Sequence, residues 1–135
     1  MVLMGSWGRL EVTASSDNDF MCLVDGDERP STEVHPSVEE TWAAIGSSGK
    51  PPGATAIFGV PVFSSNLRRI GLEDDGNKNL TRRMLLLLES RCVLGDEVYR
   101  RSKQSLLDSY LQGVKKPYHP PRFLLNDVFR SCAIF

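Results

Sequence analysis

Apolar residues along the chain fall in short runs, and most of these runs stop at a Gly, Pro, Asp or Asn. Val2 to Met4 is apolar and meets Gly5-Ser6 at once, which reads as a strand entering a turn that Gly8 keeps small. Thr13 to Asp19 is polar. Phe20 to Val24 is a second apolar run, closed by Asp25-Gly26-Asp27. The simplest reading of this opening stretch is a hairpin-like strand pair with a functional connection. Residues 25–37 read as loop. Ser37 followed by Glu40 is a capping box ahead of Thr41 to Ile45, a helix that stops near Gly46.

Ser47 to Gly53 reads as a Gly/Ser/Pro loop. Ala56 to Phe63 reads as an edge or irregular strand, because Gly59 and Pro61 interrupt it. Asn66 to Ile70 suits a short helical turn, and Glu73 to Asn79 an acidic turn. Leu80 to Val93 is open between two states: its apolar core suits a buried strand, while its Leu, Met and Arg favour a helix. Asp96 to Gln112 is a clear helix with Leu106, Leu107, Tyr110 and Leu111 on one face, and Gly113 can close it. Pro117 to Pro121 is a stiff linker. Arg122 to Cys132 is a last helix with Phe123, Leu124, Val128 and Cys132 as its apolar stripe. The mixture predicts an α/β (α+β) fold, a small mixed sheet flanked by helices.

Composition narrows the class without naming a function. The 135 residues are 41% hydrophobic and 24% charged, which suits one globular domain with a real core and leaves little room for a second. The formal net charge of -1 gives no electrostatic footprint for nucleic acid. Cys22, Cys92 and Cys132 form no C-x-x-C pair, so a structural zinc site is not expected, and free thiols in a reducing cytoplasm are. The longest apolar run, Met84 to Leu88, is far below the roughly 20 residues a membrane span needs, and the start lacks a signal-peptide pattern. A soluble protein without membrane association is expected. The apolar start and the apolar end, Ser131 to Phe135, read as the ends of a piece cut from a longer protein.

Candidate chemistry is concentrated between Gly5 and Asp19. A Gly-Ser turn straight after a strand can offer backbone N–H groups as a nest for phosphate oxygens, with the Ser6 hydroxyl adding a bond. Asp17-x-Asp19 enters the next strand. Residues i and i+2 of a strand share a face, so the two carboxylates converge, which like charges resist unless a cation lies between them. A hard divalent ion such as Mg²⁺ prefers that oxygen set, completed by water and substrate phosphates. Nucleotidyl transfer uses such a pair, normally with a third carboxylate from another strand, because two metals can clamp the attacking and leaving oxygens.

The text Gly5-Ser6-x-Gly8-Arg9-x-Glu11-x-Thr13, followed by Ser16-Asp17-x-Asp19, closely resembles the catalytic hairpin of polymerase-β-like nucleotidyltransferases. The nearest likeness is to the bacterial branch that includes protein-PII uridylyltransferase and glutamine-synthetase adenylyltransferase. That resemblance implies that Gly5 and Ser6 hold the triphosphate of ATP or UTP and that Asp17 and Asp19 hold Mg²⁺ or Mn²⁺. It implies a third carboxylate at Glu89, from the pattern of an acid on a strand, then Arg91, then Gly95-Asp96; the family usually has Asp there, and Asp74 or Asp75 is the alternative. It divides the chain into a catalytic core over 1–95 and an incomplete helical segment over 96–135, lacking the helix the family places before the first strand. A protein hydroxyl is the implied acceptor. Leu80 to Arg91 and Pro120 to Asp127 also look like family members, without a mechanism attached.

Rival readings stay open beside it. Arg9 either contacts phosphate or pairs with Glu11 or Asp17. Glu11 and Thr13 support the turn. Gly46 to Pro51 lacks the full phosphate-loop pattern, since Pro51 stands where Ser or Thr is needed. His35 and His119 have no partner at metal-ligand spacing and read as surface residues. Arg82-Arg83, Arg100-Arg101 and Lys115-Lys116 read as solvated charges. Trp7 and Cys22 read as packing residues. The chain as a whole is either a nucleotidyltransferase, a truncated non-catalytic interaction module, or an antitoxin-like nucleotidyltransferase acting on a partner protein.

Overall fold

The structure is a computed structural model that describes residues 1–27, Pro36, Glu40, Thr41, Ala43, Ala44, 61–70, 77–112 and 122–134. The elements are β1 (Val2–Met4), α1 (Gly5–Arg9), β2 (Phe20–Val24), β3 (Pro61–Phe63), α2 (Ser64–Leu67), α3 (Asn77–Leu88), β4 (Ser90–Cys92), α4 (Asp96–Leu111) and α5 (Arg122–Ile134). The four strands form one mixed sheet in the order β3-β2-β1-β4. β1 runs antiparallel to β2, with Leu3 opposite Phe20, and antiparallel to β4, with Leu3 opposite Arg91. β2 and β3 are parallel, with Leu23 opposite Val62. The expected small mixed sheet flanked by helices is therefore what the chain forms, with a hairpin-like β1–β2 pair at its centre.

Strand alternation sorts the core into two faces. Val2, Met4, Met21 and Leu23 pack with Leu67, Leu80, Met84, Leu86, Leu106 and Tyr110 under the helices, while Met1, Leu3, Phe20 and Cys22 pack on the other face with Trp7 and Leu94. Leu80, Leu86 and Leu106 are 0% exposed, and full burial of each such side chain stabilises the fold by about 1.5–3 kcal/mol. Trp7 and Cys22 are thus packing residues, as expected. Pro61 opens β3 at the sheet edge, where its missing N–H breaks no ladder. Residues 56–60 lie outside the described part, as do Gly46 to Pro51, Asp74, Asp75, Gly113, Pro117 to Pro121, His35, His119, Lys115 and Lys116. Glu40, Thr41, Ala43 and Ala44 are helical, as expected of the segment that begins at Thr41, but Pro36 is helical too, ahead of the expected cap at Ser37 and within the stretch expected as loop; Ser37 itself lies outside the described residues.

The ambiguous stretch resolves into both candidates in succession. Residues 77–88 are helix and 90–92 are strand. The helical part is too long for an average strand and is buried on several sides, which a helix between sheet and neighbouring helices requires. The turn expected up to Asn79 gives way to helix from Asn77, and the helical turn expected at Asn66 begins earlier, at Ser64.

Three expectations about the later helices need correction. On α4 the buried positions are Ser102, Leu106 and Tyr110, so Leu111, 50% exposed, is not on the inner face. On α5, Phe123 is 52% exposed and Cys132 is exposed, while Asp127 and Ser131 are buried and Leu124 and Val128 pack partly. Arg83 is not solvated: its side chain is 1% exposed. The last two share one cause. Arg83 Nε donates to Tyr110 Oη at 2.9 Å, its Nη2 donates to Asp127 Oδ2 at 3.1 Å, and Tyr110 Oη donates to the same carboxylate oxygen at 2.5 Å. Arg83 Nη1 reaches the Arg69 carbonyl at 3.2 Å. This polar knot joins α3, α4 and α5 and rotates α5 so that Asp127, rather than Phe123, faces inward. Burial and the Asp127 bond push the Tyr110 hydroxyl above its ordinary range. Arg100 and Arg101 do sit at the surface, paired with Asp96 and with Asp25 and Glu97. No helix among the described residues is long and apolar enough to cross a membrane.

Candidate active site at the turn after strand β1

β1 passes into α1 with no intervening residue, and Gly5 makes that junction possible. Its φ is +55°, a left-handed value that costs an L side chain about 1–2 kcal/mol. The carboxylate of Asp19 adjoins the bare face of Gly5: a Cβ added there would stand 3.9 Å from Asp19 Oδ2. The β1–β2 ladder delivers Asp19 to this place. Beyond the Leu3–Phe20 pair, the Met4 N–H donates to the Asp19 carbonyl at 3.0 Å. Exposure alternates ahead of β2, with Asp17 exposed, Asn18 buried and Asp19 half-buried. Asn18 is thus turned inward between two acids that stand nearer the solvent.

The start of α1 supplies the donors. Met4 gives it no side-chain cap, and the first N–H groups of any helix have no intrahelical acceptor. Ser6 stands in that first turn. The far end of α1 is fixed by Leu10 in the left-handed region at φ 62°, with the Glu11 N–H returned to the Ser6 carbonyl at 2.8 Å. Thr13 anchors the connection through its N–H to Ser16 Oγ at 2.9 Å, consistent with a supporting role.

Gly8 does more than shorten a turn. A Cβ at this position would lie 2.1 Å from the Glu89 carbonyl oxygen and 2.8 Å from its carbon. The backbone of α1 thus lies directly on the junction of α3 and β4, and only glycine permits the approach. Glu89 sits at that junction, its N–H donating to the Leu85 carbonyl at 2.9 Å, rather than on a strand as the family pattern implies. Arg9, one residue beyond Gly8, donates to Glu11 Oε2 at 2.6 Å and also bonds the Glu89 carboxylate. The Glu11 bond above all, and the charge of Glu89 after it, raise the guanidinium's pKa further. Of the two readings for Arg9, the pairing one describes the structure, with Glu89 in addition to Glu11.

Asp19 is thus brought beside the Gly5-Ser6 turn and Asp17 stands exposed two residues ahead of it, while Glu89 is tied to the other end of the same short helix. Among the described residues, no three His, Cys, Asp or Glu side chains are gathered closely enough to hold a metal ion. Comparison with family models, curated proteins and solved structures returns no match to this chain. The site therefore has to be read from its own geometry.

Two features escaped the sequence. Asn18 is 3% exposed with its Nδ2 unpartnered, and the Trp7 Nε1 is also buried without a partner. Asn18 looks like a turn former between two acids, and nothing in its neighbours marks it as inward. The buried Asp127 did carry a signal: it is a single acid between Leu124 and Val128 on an apolar stripe, where an ionised group needs a buried partner.

Proposed function

We propose that the chain is a metal-dependent nucleotidyltransferase that moves a nucleoside monophosphate from a nucleoside triphosphate, ATP or UTP, to a hydroxyl on a protein. One observation supports this above the others: the Asp19 carboxylate adjoins Gly5 at the strand–helix turn, with the exposed Asp17 two residues ahead of it in the chain. On this reading Gly5 and Ser6 receive the triphosphate through the turn N–H groups and the Ser6 hydroxyl. Asp17 and Asp19 suit a hard divalent cation, Mg²⁺ or Mn²⁺, by their chemistry, as acceptor-only oxygens two residues apart with Asp17 exposed to water and phosphate. The bound ion would supply charge neutralisation at the phosphates.

The acceptor oxygen attacks the α-phosphorus, the new P–O bond forms as the α–β anhydride breaks, and pyrophosphate leaves. The hydroxyl proton passes to a carboxylate, for which Glu89 is the candidate. Glu89 in its resting state is neutralised by Arg9. A triphosphate in the turn competes for Arg9 and releases Glu89 to act as base, which gives Arg9 its place in nucleotide binding.

The Arg9–Glu89 pair also favours a second reading, a non-catalytic interaction module in which the third acid is occupied for good. Calorimetry with ATP or UTP and Mg²⁺ separates the two. The enzyme reading expects metal-dependent binding that disappears in Asp17→Asn/Asp19→Asn. It also expects transfer of α-phosphate label to a protein in lysate, falling on the order of 100-fold in that variant. Absence of binding by the wild type with either nucleotide rejects the enzyme reading.

A further inference from the structure

The connection from α1 back to β2 carries a group of hydroxyls directly ahead of Asp17. Thr13, Ala14, Ser15 and Ser16 form a turn closed by the Ser16 N–H, which donates to the Thr13 carbonyl at 3.1 Å. Ser16 is half-buried, and its Oγ accepts the Thr13 N–H at 2.9 Å. Thr13 Oγ1 accepts the Ser15 N–H at 3.4 Å and lies 3.0 Å from Ser15 Oγ and 3.2 Å from Ser16 Oγ. The hydroxyls of Thr13 and Ser16 thus hold the turn together. Ser15 differs from both. It is exposed at the centre of the turn, and its Oγ meets a single partner among the described residues, Thr13 Oγ1. Its hydroxyl is a primary alcohol, whereas the branched Thr13 carries a methyl group beside its own. The exposed Asp17 follows two residues later, so the Cα atoms of Ser15 and Asp17 lie within about 7 Å of each other.

We propose that the chain nucleotidylates itself, with Ser15 as the acceptor hydroxyl. The proposal rests on the nucleotidyltransferase reading and names the acceptor within it. Ser15 Oγ attacks the α-phosphorus of ATP or UTP bound at the Gly5-Ser6 turn. The Oγ–P bond forms as the α–β anhydride breaks, pyrophosphate leaves, and the hydroxyl proton passes to the carboxylate base of the site. Covalent attachment so close to Asp17 gives this hydroxyl a high effective concentration, which favours attack within one chain over attack on another. The hydrogen bonds of Thr13 and Ser16 hold the turn in advance, so Ser15 has little backbone freedom left to lose. The product carries its phosphodiester and base beside Asp17, where the next triphosphate has to bind. The reaction therefore stops at a single nucleoside monophosphate per chain.

The whole purified chain is incubated with Mg²⁺ and with ATP or UTP labelled at the α-phosphate, alone and in lysate. Label is expected on the chain itself, up to a single nucleoside monophosphate, at a rate per chain that does not change with chain concentration. Fragmentation mass spectrometry places it on Ser15. Ser15→Ala, at an exposed position and checked for unchanged circular dichroism, abolishes labelling. The Asp17→Asn/Asp19→Asn variant stays unlabelled when mixed with wild type, because its own Ser15 has no working site beside it. The proposal is overturned if calorimetry shows nucleotide binding while the chain stays unlabelled, or if label appears only on a lysate protein. It is also overturned if the label lies on another residue, or if the inactive variant acquires label from the wild type. The nucleotidyltransferase reading survives each of those four results, whereas absence of nucleotide binding removes both.

Discussion

Removing the carboxylate of Asp127 should unfasten α5 from the rest of the protein. In Asp127→Ala, Arg83 keeps its bonds to Tyr110 and to the Arg69 carbonyl but loses the buried counter-charge of Asp127, and the Tyr110 hydroxyl loses its acceptor. The Arg83 and Asp127 side chains are 1% and 7% exposed, so water cannot take the place of the missing group without opening the helices. Breaking one partner of such a pair costs about 3–5 kcal/mol, chiefly through the uncompensated charge left behind. The bonds Arg83 retains place the loss near the lower end, about 3 kcal/mol. A domain of this size has roughly 5–15 kcal/mol in total. With a urea slope of about 2 kcal/mol/M, the denaturation midpoint should fall by roughly 1.5 M.

The control is the double variant Arg83→Met/Asp127→Leu, which removes both charges and restores apolar volume. If the cost of the single variant is mainly stranded charge, the double variant should be more stable than Asp127→Ala, with a coupling energy of about 1–3 kcal/mol between the sites. Urea unfolding followed by circular dichroism gives the midpoints of wild type, Arg83→Met, Asp127→Leu and the double variant, which close the cycle, and that of Asp127→Ala beside them. Hydrogen exchange should show α5 losing protection ahead of β1 and β2 in the single variant. A loss under about 1 kcal/mol for Asp127→Ala, or a double variant whose loss equals the sum of the singles, would refute the account of Arg83 as a charge that depends on Asp127.

Two further outcomes follow from neighbouring geometry. The Tyr110 hydroxyl has its pKa raised from an ordinary value near 10 by burial and by the Asp127 bond, so the folded state favours the neutral phenol. Its contribution is fully present below pH about 10 and is lost as pH rises beyond that, because the unfolded phenol ionises first; Tyr110→Phe should flatten this alkaline decline in a series of unfolding curves from pH 9 to 11.5, and an unchanged slope would assign the decline to other groups. Gly8→Ala forces a methyl group into the Glu89 carbonyl, at 2.1 Å, with backbone on both sides and no flexible side chain to move. A loss of about 3 kcal/mol or more is expected, at the top of the range for overpacking, and a thermal midpoint within a degree of wild type would show that α1 does not lie on Glu89 as described.

What the sequence made legible, and what it hid, follows from the range of the interactions involved. β1, β2 and α4 were readable because their signals are local: an apolar run bounded by turn residues, or an apolar period ahead of a breaker. The place of Asp19 beside Gly5 was readable for a similar reason, since an apolar run paired with β1 brings the residue just ahead of it back to the turn. The position of Glu89 was not. It depends on α3 ending, β4 beginning and a glycine eighty residues earlier allowing two backbones to touch. Arg83 shows the limit most clearly. By composition an Arg-Arg pair belongs in water, and only the helix register set by Leu80, Met84 and Leu86 turns one of the two inward. Once inward it requires an acid, and the acid it finds, Asp127, in turn sets the rotation of α5. That rotation carries Phe123 and Phe129 outward, against the apolar stripe expected through Phe123 and Cys132. A single buried charge on one helix thus decides which face another helix offers to solvent.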